Sequence, residues 1–351
     1  MNKKLLVCLL VVALLVTSVA VGCAKKPAGQ PAQGKKIVCG WSTDNTTDPW
    51  RRHQMERGKR ALEAKGYEVI VTDALGQTNK QIADIEDLIA RKADLIMVSP
   101  RDEKGLQDVL SRAYKQGIKV VLVDRMVAGD QWTAAIRGDN REIGKQTAAF
   151  MAQKLNGQGN VVIIEGLPGT TTAIERLNGF KDELAKSPGI KIIGSQPGNY
   201  AKADSTAVME NFIVAFGDTI NGVYAPSANM AFGALIALEN AGKDPSKIVI
   251  CSVDGEMAEI KAVADGKFAS TVQYSNCVDV AAEVCSRILE GKAYPEVLQM
   301  MGAFIDSTNA ASLYKADGFT LDDVAWEAGK WSLEGLMAKS KVFTKTAWLA
   351  R

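Results

Sequence analysis

Histidine occurs once in the 351 residues, at position 53. One imidazole cannot build a His-rich metal site, and a Ser/His/Asp triad would rest on that single residue. Positive charge is not in excess either. Lys and Arg number 42 against 40 Asp and Glu, a formal net charge of +2, and no long run of one sign marks a tail. Nothing in that balance points to nucleic acid. Catalytic signatures are missing too: no HExxH, no paired CxxC and no nucleophile elbow appear. The stretch "GLPGTTTA" lacks the lysine that a phosphate loop carries after its last glycine, so nucleotide hydrolysis is excluded. Threonine and glycine before a helix read more simply as an N-cap. The expectation is a chain that is not an enzyme, with no catalytic residues, no metal and no cofactor.

No apolar run is long enough to span a membrane. The longest, "LLVCLLVVALLV", has 12 residues, against the roughly 20 a spanning helix needs. It follows the basic "MNKK" and precedes small residues ending in "AVGC", which resembles a bacterial lipoprotein cleavage box with Cys23 as the lipidated residue. Such boxes usually have Leu where Ala20 stands. Residues 1–23 are therefore expected to be a lipoprotein signal peptide. Residues 24–35, rich in Pro, Gly, Ala and Gln, are expected to be a flexible tether to the outer face of the bacterial membrane. The six cysteines do not make a disulfide framework. Cys8 lies in the signal, Cys39 and Cys251 sit in apolar strand runs, and Cys277 and Cys285 lie eight apart on one expected helix.

What the chain does have, from Lys36 on, is an alternation of short apolar runs and helical stretches. "KIVCGWS" precedes a helix expected at 50–65, "YEVIVTD" one at 79–91 and "DLIMVSP" one at 102–115, and "IKVVLVDR" closes the set. A second series comprises "GNVVIIEG", helix 171–186, "IKIIGSQ", helix 204–215, "INGVYAP", helix 229–241, "KIVICSVDG", helix 256–264 and "FASTVQY". Apolar runs separated by helices mean parallel strands with crossover helices. The fold class is α/β, with two doubly wound parallel-sheet lobes and a boundary near "AAIRGDNREIG".

Ligands of such sheets bind beyond the carboxyl ends of the strands. The apolar run "VVLV" ends on adjacent Asp124 and Arg125, and other strands end in "EGLPGTTT", "SQPGNY", "APSANM" and "SVDGE". A carboxylate accepts and a guanidinium donates in a planar fork, so together they match vicinal hydroxyls. Sugars and polyols carry that chemistry, and Trp50 and Tyr200 stand where a ring could pack on the C–H face of a sugar.

On these residues the stretch from about Lys36 to about Tyr314 resembles the periplasmic sugar-binding proteins of ABC importers, type I. It is similar to the ribose-binding group and closest in local pattern to galactofuranose-binding proteins. The resemblance implies ligand contacts at Asp124 and Arg125, at Arg176 in "GTTTAIERLNGF" and at Asp254 in "SVDG". It also implies Trp50 and Arg51 in "DPWRRHQMERG", and Tyr200 in "GNY". Many members carry "ND" where this chain has "SA", so Ser227 and Asn229 stand in as contacts. A hinge-side polar contact falls at Gln273, or at its neighbour Tyr274. Chain crossovers are implied near 138–140, 273–276 and 302–306. The lobes would then be residues 36–138 plus 276–302 and residues 139–275 plus 303–316.

The tail 317–351 holds Trp326, Trp331 and Trp348 and is expected to pack back on a lobe. The implied function is capture of a monosaccharide, pentose or hexose, by a monomeric receptor. The receptor would deliver it to ABC transporter permease subunits, without nucleic acid as a partner. The rivals are a receptor for a non-sugar polyol or signalling molecule coupled to a sensor, a sugar-responsive transcription regulator and an exported hydrolase. A regulator needs an N-terminal DNA-binding unit where this chain has an export signal.

Overall fold

In a computed structural model, residues 36–320 and 332–350 are described. The signal peptide, the tether, Trp326 and Trp331 lie outside the described residues.

The first lobe is built from β1 (Val38–Thr43), α1 (Pro49–Glu63), β2 (Glu68–Asp73), α2 (Thr78–Ala90), β3 (Leu95–Val98), α3 (Gln107–Lys115), β4 (Lys119–Val123) and β5 (Ala134–Gly138). All of β3 and all of β4 except Lys119 are buried. That is why these strands read as continuous apolar runs: a parallel sheet is covered on both faces. Two helix starts in this lobe have a local cause. Asp48 caps α1, accepting from the Trp50 N–H, with Pro49 at the first helical position. The third helix starts at Gln107 rather than at the expected 102, because the Asp102 carboxylate accepts from the Lys104 and Gly105 N–H groups. That local turn competes with the helix.

The second lobe follows as α4 (Asn140–Lys154), β6 (Gln158–Glu165), α5 (Thr171–Leu184), β7 (Gly189–Pro197), α6 (Lys202–Phe216), β8 (Gly222–Ala225), α7 (Ala228–Asn240), β9 (Val249–Ser252), α8 (Met257–Ala264) and β10 (Ser270–Val272). The chain then returns to the first lobe with α9 (Val278–Leu289), packed on α1 through a buried Arg57–Asp279 pair, and β11 (Val297–Met300). It crosses back for β12 (Phe304–Asp306) and α10 (Ala310–Leu313). After Thr320 the described tail is again on the first lobe, as α11 (Leu333–Met337), β13 (Lys341–Phe343) and α12 (Lys345–Leu349).

Strand order is β13-β11-β5-β4-β3-β1-β2 in one sheet and β12-β10-β9-β8-β6-β7 in the other. Both belong to one compact unit that starts at Ile37. The pairing is parallel throughout except at one edge of each sheet, where β13 runs antiparallel to β11 and β12 antiparallel to β10. Those edge strands, together with β5 and β11, were not legible as strands in the sequence.

One expectation is corrected here. Cys277 is not inside a helix: it precedes α9 with a left-handed backbone, φ 66°. His53, the single histidine, is half-buried, its ring 4.8 Å from the Phe319 ring. Cys39, Cys251, Cys277 and Cys285 are free and buried, and burial pushes the Cys39 and Cys251 thiols up to about 12. The described tail packs on the first lobe. Leu333 and Leu336 enter its core, and the Trp348 ring lies 5.3 Å from the Arg137 guanidinium.

One close approach positions the binding chemistry. Helices α4 and α5 touch backbone to backbone, because a Cβ on Gly144 would lie 2.2 Å from the Arg176 carbonyl oxygen. One on Gly179 would lie 2.1 Å from that of Arg141. Only glycine permits this contact, and it fixes the helix that carries Arg176.

Candidate functional site

The carboxyl ends of the two sheets face each other across a narrow cavity. The first lobe supplies Asp48, Trp50, Arg51, Asp124 and Arg125, the second Thr172, Arg176, Tyr200, Ser227, Asn229 and Asp254, and the hinge Tyr274. Three aspartates face three arginines, so the lining is formally neutral.

On the first lobe, Asp124 follows β4 in the left-handed region, φ 68°. Aspartate is one of the few residues besides glycine that enter this region, and surrounding contacts select it here. The contacts are present. Arg51 pairs with the Asp124 carboxylate, and its Nη1 donates to Ser99 Oγ and Gln54 Oε1, each at 2.8 Å. The Tyr274 hydroxyl donates to Asp124 Oδ1 at 2.5 Å.

Beneath them sits Asp44, fully buried at the end of β1. It lies 3.3 Å from Arg51 Nε, 2.9 Å from Arg125 Nη1 and 3.9 Å from Arg101 Nη1. Burial alone would raise both carboxyls. For Asp44 the Arg125 and Arg51 guanidiniums outweigh it, and for Asp124 Arg51 and Arg125 do, so both stay ionised below the ordinary carboxyl value.

On the second lobe, Arg176 projects from α5. Its Nη1 donates to the Pro226 carbonyl at 2.6 Å and stands 3.6 Å from Asp254 Oδ1. Asp254 follows β9 at φ 121° and accepts from the Ala228 N–H at 3.1 Å. Ser227 Oγ caps α7 by accepting from Met230 N, which leaves its proton for another acceptor. Tyr200 follows Asn199 in two consecutive left-handed positions, φ 59° and 56°. Its hydroxyl donates to Thr172 Oγ1 at 3.2 Å, and its ring lies 5.9 Å from the Arg125 guanidinium of the other lobe. The Trp50 indole N–H is buried without an acceptor, and its ring centroid is 5.9 Å from that of Tyr274.

The two halves are joined through the hinge. Arg176 Nε donates to Asn140 Oδ1 at 2.9 Å, and Asn140 Nδ2 donates to the Tyr274 hydroxyl at 3.3 Å. That hydroxyl in turn donates to Asp124. One hydrogen-bonded path therefore runs from the Asp254–Arg176 pair to the Asp124–Arg51 pair through both main crossovers. The lobes also meet directly. Met126 N donates to Thr171 Oγ1 at 3.0 Å, Glu103 N to the Gly169 carbonyl at 3.1 Å, and Asn229 Nδ2 to Asp48 Oδ1 at 3.4 Å.

Of the residues expected at the site, only Gln273 is not on the cavity wall. Its side-chain oxygen accepts from Ala303 N at 3.2 Å, at the neighbouring crossover. In extended chain, successive side chains point to opposite sides, so Tyr274 faces in and Gln273 faces out. The sequence reading also missed Asp48 and Thr172 on the wall, Asp44 below it and Asn140 in the hinge. Asp44 follows β1 directly, so reading that strand's end like the others would have found it.

Burial pushes Asp254 up to about 7 despite Arg176, and Glu256 up to about 8 with Asp254 nearby. Burial also raises Glu259, which accepts from Thr271 Oγ1 at 3.1 Å. An acid with a raised folded-state value contributes stability that is full below its ordinary value and lost as pH climbs through the raised one. The ligand-free protein should therefore melt at progressively lower temperature as pH rises from about 4 to about 8. A hydroxyl donated to Asp254 should flatten that slope, and thermal melts with and without ligand across this range measure it.

Two sheets whose carboxyl ends enclose a polar, charge-balanced cavity form a two-lobed cleft, the arrangement of a solute-binding protein. The periplasmic binding protein domain family matches residues 39–293, and the chain belongs to that family. It is 29% identical to the ribose import binding protein RbsB of Bacillus subtilis over 74% of this chain and 83% of that protein. It is also 29% identical to the galactofuranose-binding protein YtfQ of Escherichia coli, over 75% and 86%. The binding component of the arabinose ABC transporter of Shewanella sp. ANA-3, solved with arabinofuranose bound, superposes with a TM-score of 0.76. Its identity is 29%, and the match covers 84% of this chain and 97% of that one.

Proposed function

We propose that this protein captures a monosaccharide, a pentose or hexose with the furanose form included, and presents it to an ABC importer. The observation that carries the reading is the balance of the cavity. Asp124 and Asp254 accept, Arg51, Arg125 and Arg176 donate, and Trp50, Tyr200 and Tyr274 offer ring surface. A neutral, hydroxyl-rich ring uses all three, whereas a charged ligand would leave one buried charge uncompensated. The relatives named above are described by the sugars they bind, which agrees with that chemistry. Lipidation at Cys23 holds the receptor at the outer face of the membrane.

Calorimetric titration with pentoses, hexoses and polyols tests the ligand class. Binding of one sugar with micromolar or better affinity is expected, and silence across the panel rejects the assignment. Metabolic labelling with a fatty acid, abolished by Cys23→Ser, tests the anchor.

A further inference from the structure

The cavity is not the only polar space between the lobes. Immediately outside it lies a second, solvent-open recess at the cleft mouth. The two share Asp48, Arg125, Tyr200 and Asn229 as a common neck. Asn45, Leu75 and Arg101 on the first lobe and Asn199, Tyr200 and Lys202 on the second line the recess. Its lining spans both lobes.

Its wall is two-faced. Leu75 is 59% exposed, one of few large apolar side chains so exposed among the described residues. It is held out at φ 51°, a backbone region unfavourable for leucine, by its N–H donating to Asp73 Oδ1 at 2.8 Å. A leucine this exposed at a cleft mouth keeps apolar surface open to a ligand, and backbone strain of this kind gathers at ligand contacts. Arg101 is the polar counterpart. It reaches Asp44 only at 3.9 Å, and Asp44 is already neutralised by Arg51 and Arg125. Its donors are therefore available. Apolar surface beside free donors and amide groups is the complement of a sugar ring, with its C–H face and hydroxyl rim.

Resting on the monosaccharide reading of the inner cavity, we propose that the outer recess holds a second sugar unit, linked glycosidically through the neck to the first. The long Asn229–Asp48 bond across that neck yields to the linkage.

The test titrates the purified protein with the monosaccharide it prefers and with disaccharides that carry that sugar at either end. At least one disaccharide should bind about 10-fold or more tighter, a gain of about 1.4 kcal/mol. Leu75→Ala and Arg101→Gln should remove that gain and leave the monosaccharide affinity within about twofold, which also shows that both variants fold. Disaccharides that bind no tighter than the monosaccharide overturn the proposal and leave the monosaccharide reading intact, as does a gain that survives both substitutions. Failure of monosaccharides and disaccharides alike overturns both readings.

Discussion

Asp124→Ala should lower sugar affinity by about 10³-fold, roughly 4 kcal/mol, and also destabilise the fold. The two effects have separate causes. A hydrogen bond to a charged group contributes about 1.5–3 kcal/mol, and one carboxylate can accept from two ligand hydroxyls. The stability loss arises underneath. Asp124 and Asp44 together balance Arg51 and Arg125 in a space closed to solvent. Without Asp124, two buried guanidiniums share one carboxylate that Arg101 also approaches, and breaking a buried pair costs about 3–5 kcal/mol.

Asp44→Ala separates the two contributions. Asp44 sits in the same ion cluster but not on the inner cavity wall, so it should lose comparable stability and much less affinity. Chemical denaturation and calorimetry on both variants make the comparison. Equal affinity losses would mean that Asp124 acts only by holding the cluster together.

Most of the site was visible in the sequence for one reason: a doubly wound sheet delivers whatever follows each strand to one edge. Asp124, Arg125, Ser227 and Asp254 all follow apolar runs, so finding the runs located them. The parts that stayed hidden depend on long-range geometry. Asp44 is held by Arg51 and Arg125 from two separate segments, and neither pairing is local. Asn140 opens α4, where an asparagine reads as an ordinary helix start, yet its side chain ties Arg176 to Tyr274. The choice between Gln273 and Tyr274 turned on which way a three-residue strand faces after it ends, which periodicity cannot decide. Strands β5, β11, β12 and β13 are not legible because Arg137, Gln299, Asp306 and Lys341 stand within them and break their apolar runs.

The second large effect belongs to a glycine of the hinge. Gly138 ends β5 with an ordinary backbone conformation, so alanine there suffers no torsional strain. The obstacle is steric. A Cβ at this position would lie 2.1 Å from Cε2 of Tyr274 and 2.9 Å from its Cδ2. The ring cannot simply swing aside, because its hydroxyl is held by Asp124 and Asn140 and its face lies 4.4 Å from the Arg176 guanidinium. Gly138→Ala must therefore drive Tyr274 off Asp124 and disturb the ligand groups of both lobes at once. The expected result is a loss of about 1–3 kcal/mol in stability, typical of an overfilled core, with affinity down about 100-fold. Truncating the ring tests the cause. In a Tyr274→Ala background the added Gly138→Ala should cost little, because its methyl then enters vacated space. The double-mutant cycle should show a coupling of at least about 1 kcal/mol. Additive losses would mean that Gly138 acts through the backbone alone. Wild-type binding by Gly138→Ala would mean that the ligand-bound hinge does not bring Tyr274 against the first crossover.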